Sequence, residues 1–160
     1  MSLQKPWLAD KMALRGDLTV SMRRVSDGRV RRIIVQNTIT YRGIDSPLYL
    51  WAPVGVTQAD FAFNALGLGS NATPPTHGDV SLLSQFGSLP LNSPGNRVRS
   101  VGQVEVVATL PAGQLVGNTI REFGIILANG QLFARQTTPD IPLTGLFEIG
   151  VSWRITVTTV

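Results

Sequence analysis

The clearest periodicity in the chain lies near its C-terminal end, where Ile149, Val151, Trp153, Ile155 and Val157 alternate with Gly150, Ser152, Arg154 and Thr156. A period of two puts each set on one face of a strand, and only burial rewards an apolar face. Phe147 to Thr159 is therefore predicted as a half-buried strand with Trp153 in the core. The same alternation runs through Leu18, Val20 and Met22 against Asp17, Thr19, Ser21 and Arg23. Ser26-Asp27-Gly28-Arg29 follows as a turn, because Asp-Gly suits the positive φ of tight hairpins, and Val30 to Thr40 reads as the return strand.

Further along, Phe61, Phe63 and Ala65 alternate with Ala62 and Asn64, and Gly67, Gly69 and the run Asn71 to Gly78 around Pro74-Pro75 read as a loop. Val98 to Leu110 reads as one strand. Thr119 to Leu127 and Gln131 to Thr137 flank Ala128-Asn129-Gly130, and Asn-Gly between two apolar runs is the strongest short hairpin signal. One segment has helical character. In Ile44 to Ala52, Asp45 or Ser46 can cap, Pro47 sits at the first helical position, and Ile44, Leu48 and Trp51 share a face until Pro53 and Gly55 stop the run. Residues 1–16 carry Trp7, Leu8, Met12 and Leu14 without a period, which reads as an arm that docks on a partner. The expected fold is all-β: an antiparallel β-sandwich with one short helix and an extended N-terminal arm. The arm is residues 1–16 and the domain residues 17–160, beginning with a basic β-hairpin over residues 17–36.

Composition adds three constraints. The 160 residues suit one domain, and 43% apolar residues suffice for a core, while only 15% are charged, so part of the surface is expected to meet other chains, copies of this one included. There is no cysteine, which excludes disulfides and thiolate metal sites and fits assembly in a reducing cytoplasm. The start carries Lys5, Asp10 and Lys11 with no continuous apolar stretch, unlike a secretory leader, and no segment approaches the roughly 18 apolar residues of a membrane span, so no membrane partner is expected.

The charge of +4 is unevenly placed: up to Arg42 there are nine basic and three acidic residues, and beyond it five basic and seven acidic. Arg23, Arg24, Arg29, Arg31 and Arg32 cluster at the hairpin tip. No aromatic residue interleaves with them from Met22 to Val35, so stacking on bases is not supported, and an acidic protein surface or a solvated edge outranks nucleic acid.

Candidate chemistry is sparse. The single histidine, His77, lies in the Pro/Gly loop without a positioned partner and reads as solvated rather than catalytic. Gly67-Leu68-Gly69 lacks the Gly-Lys and helix of a phosphate loop. Glu105, Glu122 and Glu148 fall on different strands. Arg121-Glu122 stands out inside an apolar strand. Without a His or Cys companion, Glu122 is expected to be buried and structural, paired with Arg121, Arg135 or backbone N–H groups. No catalytic, metal or cofactor site is assigned, and no cofactor is expected.

Several ordered stretches then carry a resemblance: Asn37-Thr38-Ile39-Thr40-Tyr41-Arg42-Gly43; Leu66-Gly67-Leu68-Gly69-Ser70-Asn71-Ala72-Thr73-Pro74-Pro75 with Gly78-Asp79; Ala108-Thr109-Leu110-Pro111-Ala112-Gly113; and Ile120-Arg121-Glu122-Phe123-Gly124-Ile125 with Asn129-Gly130-Gln131-Leu132-Phe133-Ala134-Arg135. In order and spacing this series resembles the phage tail-collar fibre family and related bacteriophage virion structural proteins, over about residues 30–158. It departs from them at Phe123-Gly124-Ile125-Ile126 and in its basic N-terminal hairpin. The resemblance implies a non-enzymatic virion protein of the tail, collar or fibre-attachment region, assembled in the host bacterial cytoplasm. Its partners would be other virion proteins, tail, collar, portal-proximal or capsid. A capsid decoration (cement) protein is the alternative. A carbohydrate-binding module ranks third, because most aromatics fall at core positions, and an enzyme fourth. The arm and hairpin residues Trp7, Leu8, Met12, Leu14, Arg23, Arg24, Arg29, Arg31 and Arg32 are the expected partner contacts.

Overall fold

A computed structural model describes residues 12–41, 43–44 and 57–159. Among the described residues nine strands form: β1 (Met12–Arg24), β2 (Val30–Ile39), β3 (Phe63–Gly69), β4 (Gln85–Pro90), β5 (Arg97–Ser100), β6 (Gln103–Leu110), β7 (Thr119–Leu127), β8 (Leu132–Pro142) and β9 (Phe147–Thr159). Every pairing is antiparallel. The strands lie in the order β4-β3-β7-β8-β2-β1-β9-β6-β5, a single sheet curled into a half-barrel. The all-β, antiparallel expectation therefore holds.

The curl buries one core. Leu66, Leu68, Phe123 and Ile125 from one flank join Leu18, Val20, Val106 and Trp153 from the other in one apolar cluster. Trp153 has no solvent exposure, as the alternation of β9 predicts. β9 is central to its flank, pairing with β1 from Met12↔Thr159 to Arg24↔Phe147 and with β6 on its other edge.

β2 joins the two flanks, and does so unevenly. It pairs with β1 over Val30–Asn37 but with β8 only at Thr38↔Arg135 and Ile39↔Ala134. Beyond those two pairs β2 and β8 part, so among the described residues the β8-facing edge of β2 from Val30 to Asn37 has no strand against it.

Several expectations need correction. The arm was expected to reach residue 16, but Met12–Gly16 belong to β1, and Leu14 packs against the core. Gly16 hides the continuity: it interrupts the apolar alternation, yet it sits opposite Asn37, whose side chain fills the space a Cβ would take. Residues 1–11, with Trp7 and Leu8, lie outside the described residues. So does most of the helix expected over Ile44 to Ala52; at its start Ile44 N–H donates to the Thr40 carbonyl at 2.9 Å.

Gly67 and Gly69 lie in β3 rather than in a loop, because there strand neighbours crowd the backbone. A Cβ on Gly67 would come within 2.7 Å of Leu82 Cδ1, and one on Gly69 within 2.6 Å of Glu122 Cγ. Val98 to Leu110 is two strands, turned at Gly102 with φ +70°. Phe61 closes a 3-10 turn, Gln58–Phe61, and precedes the strand.

Candidate functional site

Two places concentrate polar chemistry: a buried ion network between β7, β8 and the loop after β3, and the exposed arginine cluster on the β1–β2 hairpin.

The network centres on Arg135, whose side chain is wholly buried. Its Nε donates to Glu122 Oε2 at 2.7 Å, Nη1 to Asp79 Oδ2 at 2.8 Å, and Nη2 to the Thr73 carbonyl at 3.0 Å. Glu122 also has no exposure and accepts from the backbone N–H of Ser84 at 2.8 Å and of Leu83 at 3.3 Å. The register explains the pairing. Gly124 faces Arg135 across the β7–β8 ladder, and Glu122 faces Thr137, so the two side chains are diagonal neighbours on one face. Buried charges persist only when paired and hydrogen-bonded, and here each finds several partners.

Asp79 is the member the sequence reading missed. Thr76 holds it in place: its N–H donates to Asp79 Oδ2 at 3.0 Å and its hydroxyl to Oδ1 at 2.7 Å. Burial pushes the Asp79 carboxyl up. The hydrogen bonds from Thr76 and Arg135, with the charge of Arg135, outweigh that and hold it below the ordinary carboxylate value. The signal that could have found it is the Thr-x-x-Asp spacing after Pro74-Pro75, a local capping pattern in a loop.

Arg121 is not a partner of Glu122. It points to the other face and makes a two-pronged pair with Asp140, at 2.8 and 2.9 Å. That hydrogen bonding and charge raise Arg121 and lower Asp140 from their ordinary values. His77 is exposed, as expected, but it is not merely solvated: Nδ1 lies 2.7 Å from the Ile39 carbonyl, and its ring stands 5.6 Å from that of Tyr41. No group of three His, Asp or Glu side chains able to hold a metal occurs among the described residues.

At the hairpin, the turn forms as predicted, with Gly28 at φ +70°. Arg23 pairs with Glu148 at 3.0 Å. Arg24 and Arg29 share Asp27, at 3.6 and 3.5 Å, and Arg24 also lies over the Phe147 ring. Arg31 and Arg32 are exposed and have no ion pair among the described residues. The structure thus brings the five arginines together at one end of the sheet. It separates them from Leu14, which lines an apolar groove of about 870 Å³ with Phe61, Phe63, Val104 and Phe133. Met12 stands at the start of β1, opposite Thr159.

No family model, no curated protein and no solved structure matches the chain.

Proposed function

We propose that this protein is a non-enzymatic structural component of a bacteriophage particle, working through contacts with neighbouring virion proteins in the tail, collar or fibre-attachment region. One observation supports the reading most: separate stretches that carry the family resemblance meet around one side chain. Gly69, Thr73 and Asp79 come from one stretch, Glu122 and Arg135 from another, and all converge on the buried network. A motif series whose members share one structural task is a series that specifies a fold, so its order and spacing carry more weight than each Gly-Pro turn alone. The network spends its polar groups on joining a loop to two strands. That suits a body which must hold its shape under load in an assembly.

The same reading extends to the architecture. The two flanks of the curled sheet act as the two layers of a sandwich, hinged at β2, and the shared core of Leu66, Ile125, Val106 and Trp153 supports this. Attachment belongs to the basic hairpin and to residues 1–11. Five arginines face two carboxylates, Asp27 and Glu148, at the tip, an excess that steers an acidic neighbour.

Labelling particles with antibody to this chain and imaging them by negative stain tests the position. Label at the tail or neck is the expected result. Label over the whole shell would replace the reading with that of a capsid decoration protein, and no label on particles with the free protein still recognised would overturn both.

A further inference from the structure

We infer that the free edge of β2, from Val30 to Gln36, is a docking strand that takes an extended acidic segment of another protein by adding it to the sheet. The inference deepens the attachment reading of the hairpin and rests on it for the class of partner.

The geometry begins at the turn. Arg24 N–H donates to the Arg29 carbonyl at 2.8 Å, which makes Arg24 and Arg29 a hydrogen-bonded pair. Such pairs alternate along an antiparallel ladder, so Met22–Arg31, Val20–Ile33 and Leu18–Val35 bond to each other. The N–H and C=O groups of Val30, Arg32, Ile34 and Gln36 then point away from β1. Among the described residues no strand lies there, because β8 pairs with β2 only at Thr38 and Ile39. Solvent reaches the edge freely: Val30 is 52% and Ile34 70% exposed.

An unprotected edge of this length is a template for pairing, and proteins usually blunt one with proline, a bulge or a charge. The neighbouring edge of β8 is blunted, since Pro139 and Pro142 lie in that strand. β2 has no proline and no register shift. Its protection is Arg31 and Arg32, on opposite faces and without ion pairs among the described residues. Those charges choose the occupant. A second copy of this chain would bring its own tip arginines to a site already in positive excess. An extended segment with carboxylates flanking an apolar centre pairs with Arg31 and Arg32 while covering Ile34. The backbone supplies affinity and the side chains supply selection.

The test uses the full chain and a synthetic peptide of about ten residues alternating Glu and Val, with an all-Glu peptide and a single-stranded oligonucleotide as comparators. Binding is read by fluorescence anisotropy and by amide hydrogen exchange. The expected result is slowed exchange at Arg32, Ile34 and Gln36 on adding the Glu-Val peptide, and binding that weakens with salt. Ile34→Pro removes an outward N–H and no ladder bond, and it should weaken that peptide at least about ten-fold, as should Arg31→Glu with Arg32→Glu. The exchange measurement needs no variant and decides the matter even if Ile34→Pro disturbs the hairpin. All-Glu binding as tight as Glu-Val and insensitive to Ile34→Pro would reduce the site to a charged patch and overturn the inference. So would preference for the oligonucleotide, self-association with protection of the same amides, or unchanged exchange along β2. None of these four results touches the particle-labelling experiment, so the docking mode and the virion reading fail separately.

Discussion

Arg135 and Glu122 form an ion pair of 2.7 Å with both side chains wholly excluded from solvent. Arg135 carries a second carboxylate, Asp79, at 2.8 Å, so one buried guanidinium faces two acids. The arrangement joins β7 and β8 to the loop that precedes β4. It also makes each member dependent on the others: losing Arg135 leaves two carboxylates without their cation, and losing either acid leaves buried donors of Arg135 or of the loop without an acceptor.

Glu122→Gln should therefore destabilise the fold by about 3–5 kcal/mol, and Arg135→Met by a similar amount. The double variant Glu122→Gln/Arg135→Met should cost clearly less than the sum, since residues in one network couple. Urea unfolding of the four proteins checks this, and additive losses would mean that the pair is not the source of the cost.

Asp79 sets a pH dependence. Its folded carboxyl lies below the ordinary value, so the stability it contributes is present above the unfolded carboxylate pKa and is lost as pH falls through the folded one. Unfolding followed downward from about pH 5 should show stability falling in the acid range, and Asp79→Asn should flatten that fall while lowering stability at neutral pH. An unchanged acid profile in the variant would assign the dependence to other groups, such as Asp140.

Trp153 fills the centre of the core, and its indole Nε1 has no hydrogen-bond partner among the described residues. Trp153→Ala should cost about 3–5 kcal/mol through the cavity it leaves. Trp153→Phe should cost less, roughly 1–2 kcal/mol, because no bond is broken and much of the volume is kept. Thermal melts of both variants read the difference; equal losses would point to a polar role for the indole.

The corrected arm boundary separates two truncations. Deleting residues 2–11 keeps every β1–β9 pair from Met12↔Thr159 onward and should leave a folded body. Deleting residues 2–16 removes five residues paired with β9 and should lower the melting temperature markedly. Circular dichroism melts compare the two, and a body equally stable after both would return Met12–Gly16 to the arm.

What the sequence disclosed follows the strength of local pattern. β9, the β1–β2 hairpin and the β7–β8 hairpin were legible because alternation and Asp-Gly or Asn-Gly turns both point to them. The sequence of β3 resembles a loop in part because Gly67 and Gly69 carry no side chain to alternate, although they lie in the strand for that very lack of bulk. β4 went unseen, since Gln85–Pro90 contains Gly87 and Pro90 and shows no period. The Glu122–Arg135 pairing could be expected because thirteen positions and one hairpin separate the partners. Asp79 lies 56 positions from Arg135, and no local pattern links residues that only the topology brings together. The free edge of β2 is likewise a property of where β8 diverges, which alternation in β2 alone does not encode.

The central claim, that this chain is a part of a phage particle, is tested most directly by its presence in particles purified by density gradient from the cells that make it. Quantitative mass spectrometry should find the chain in the particle fraction at a fixed ratio to the major shell protein, retained through repeated banding. Recovery only in the soluble fraction, with particles complete and infectious without it, would contradict the account.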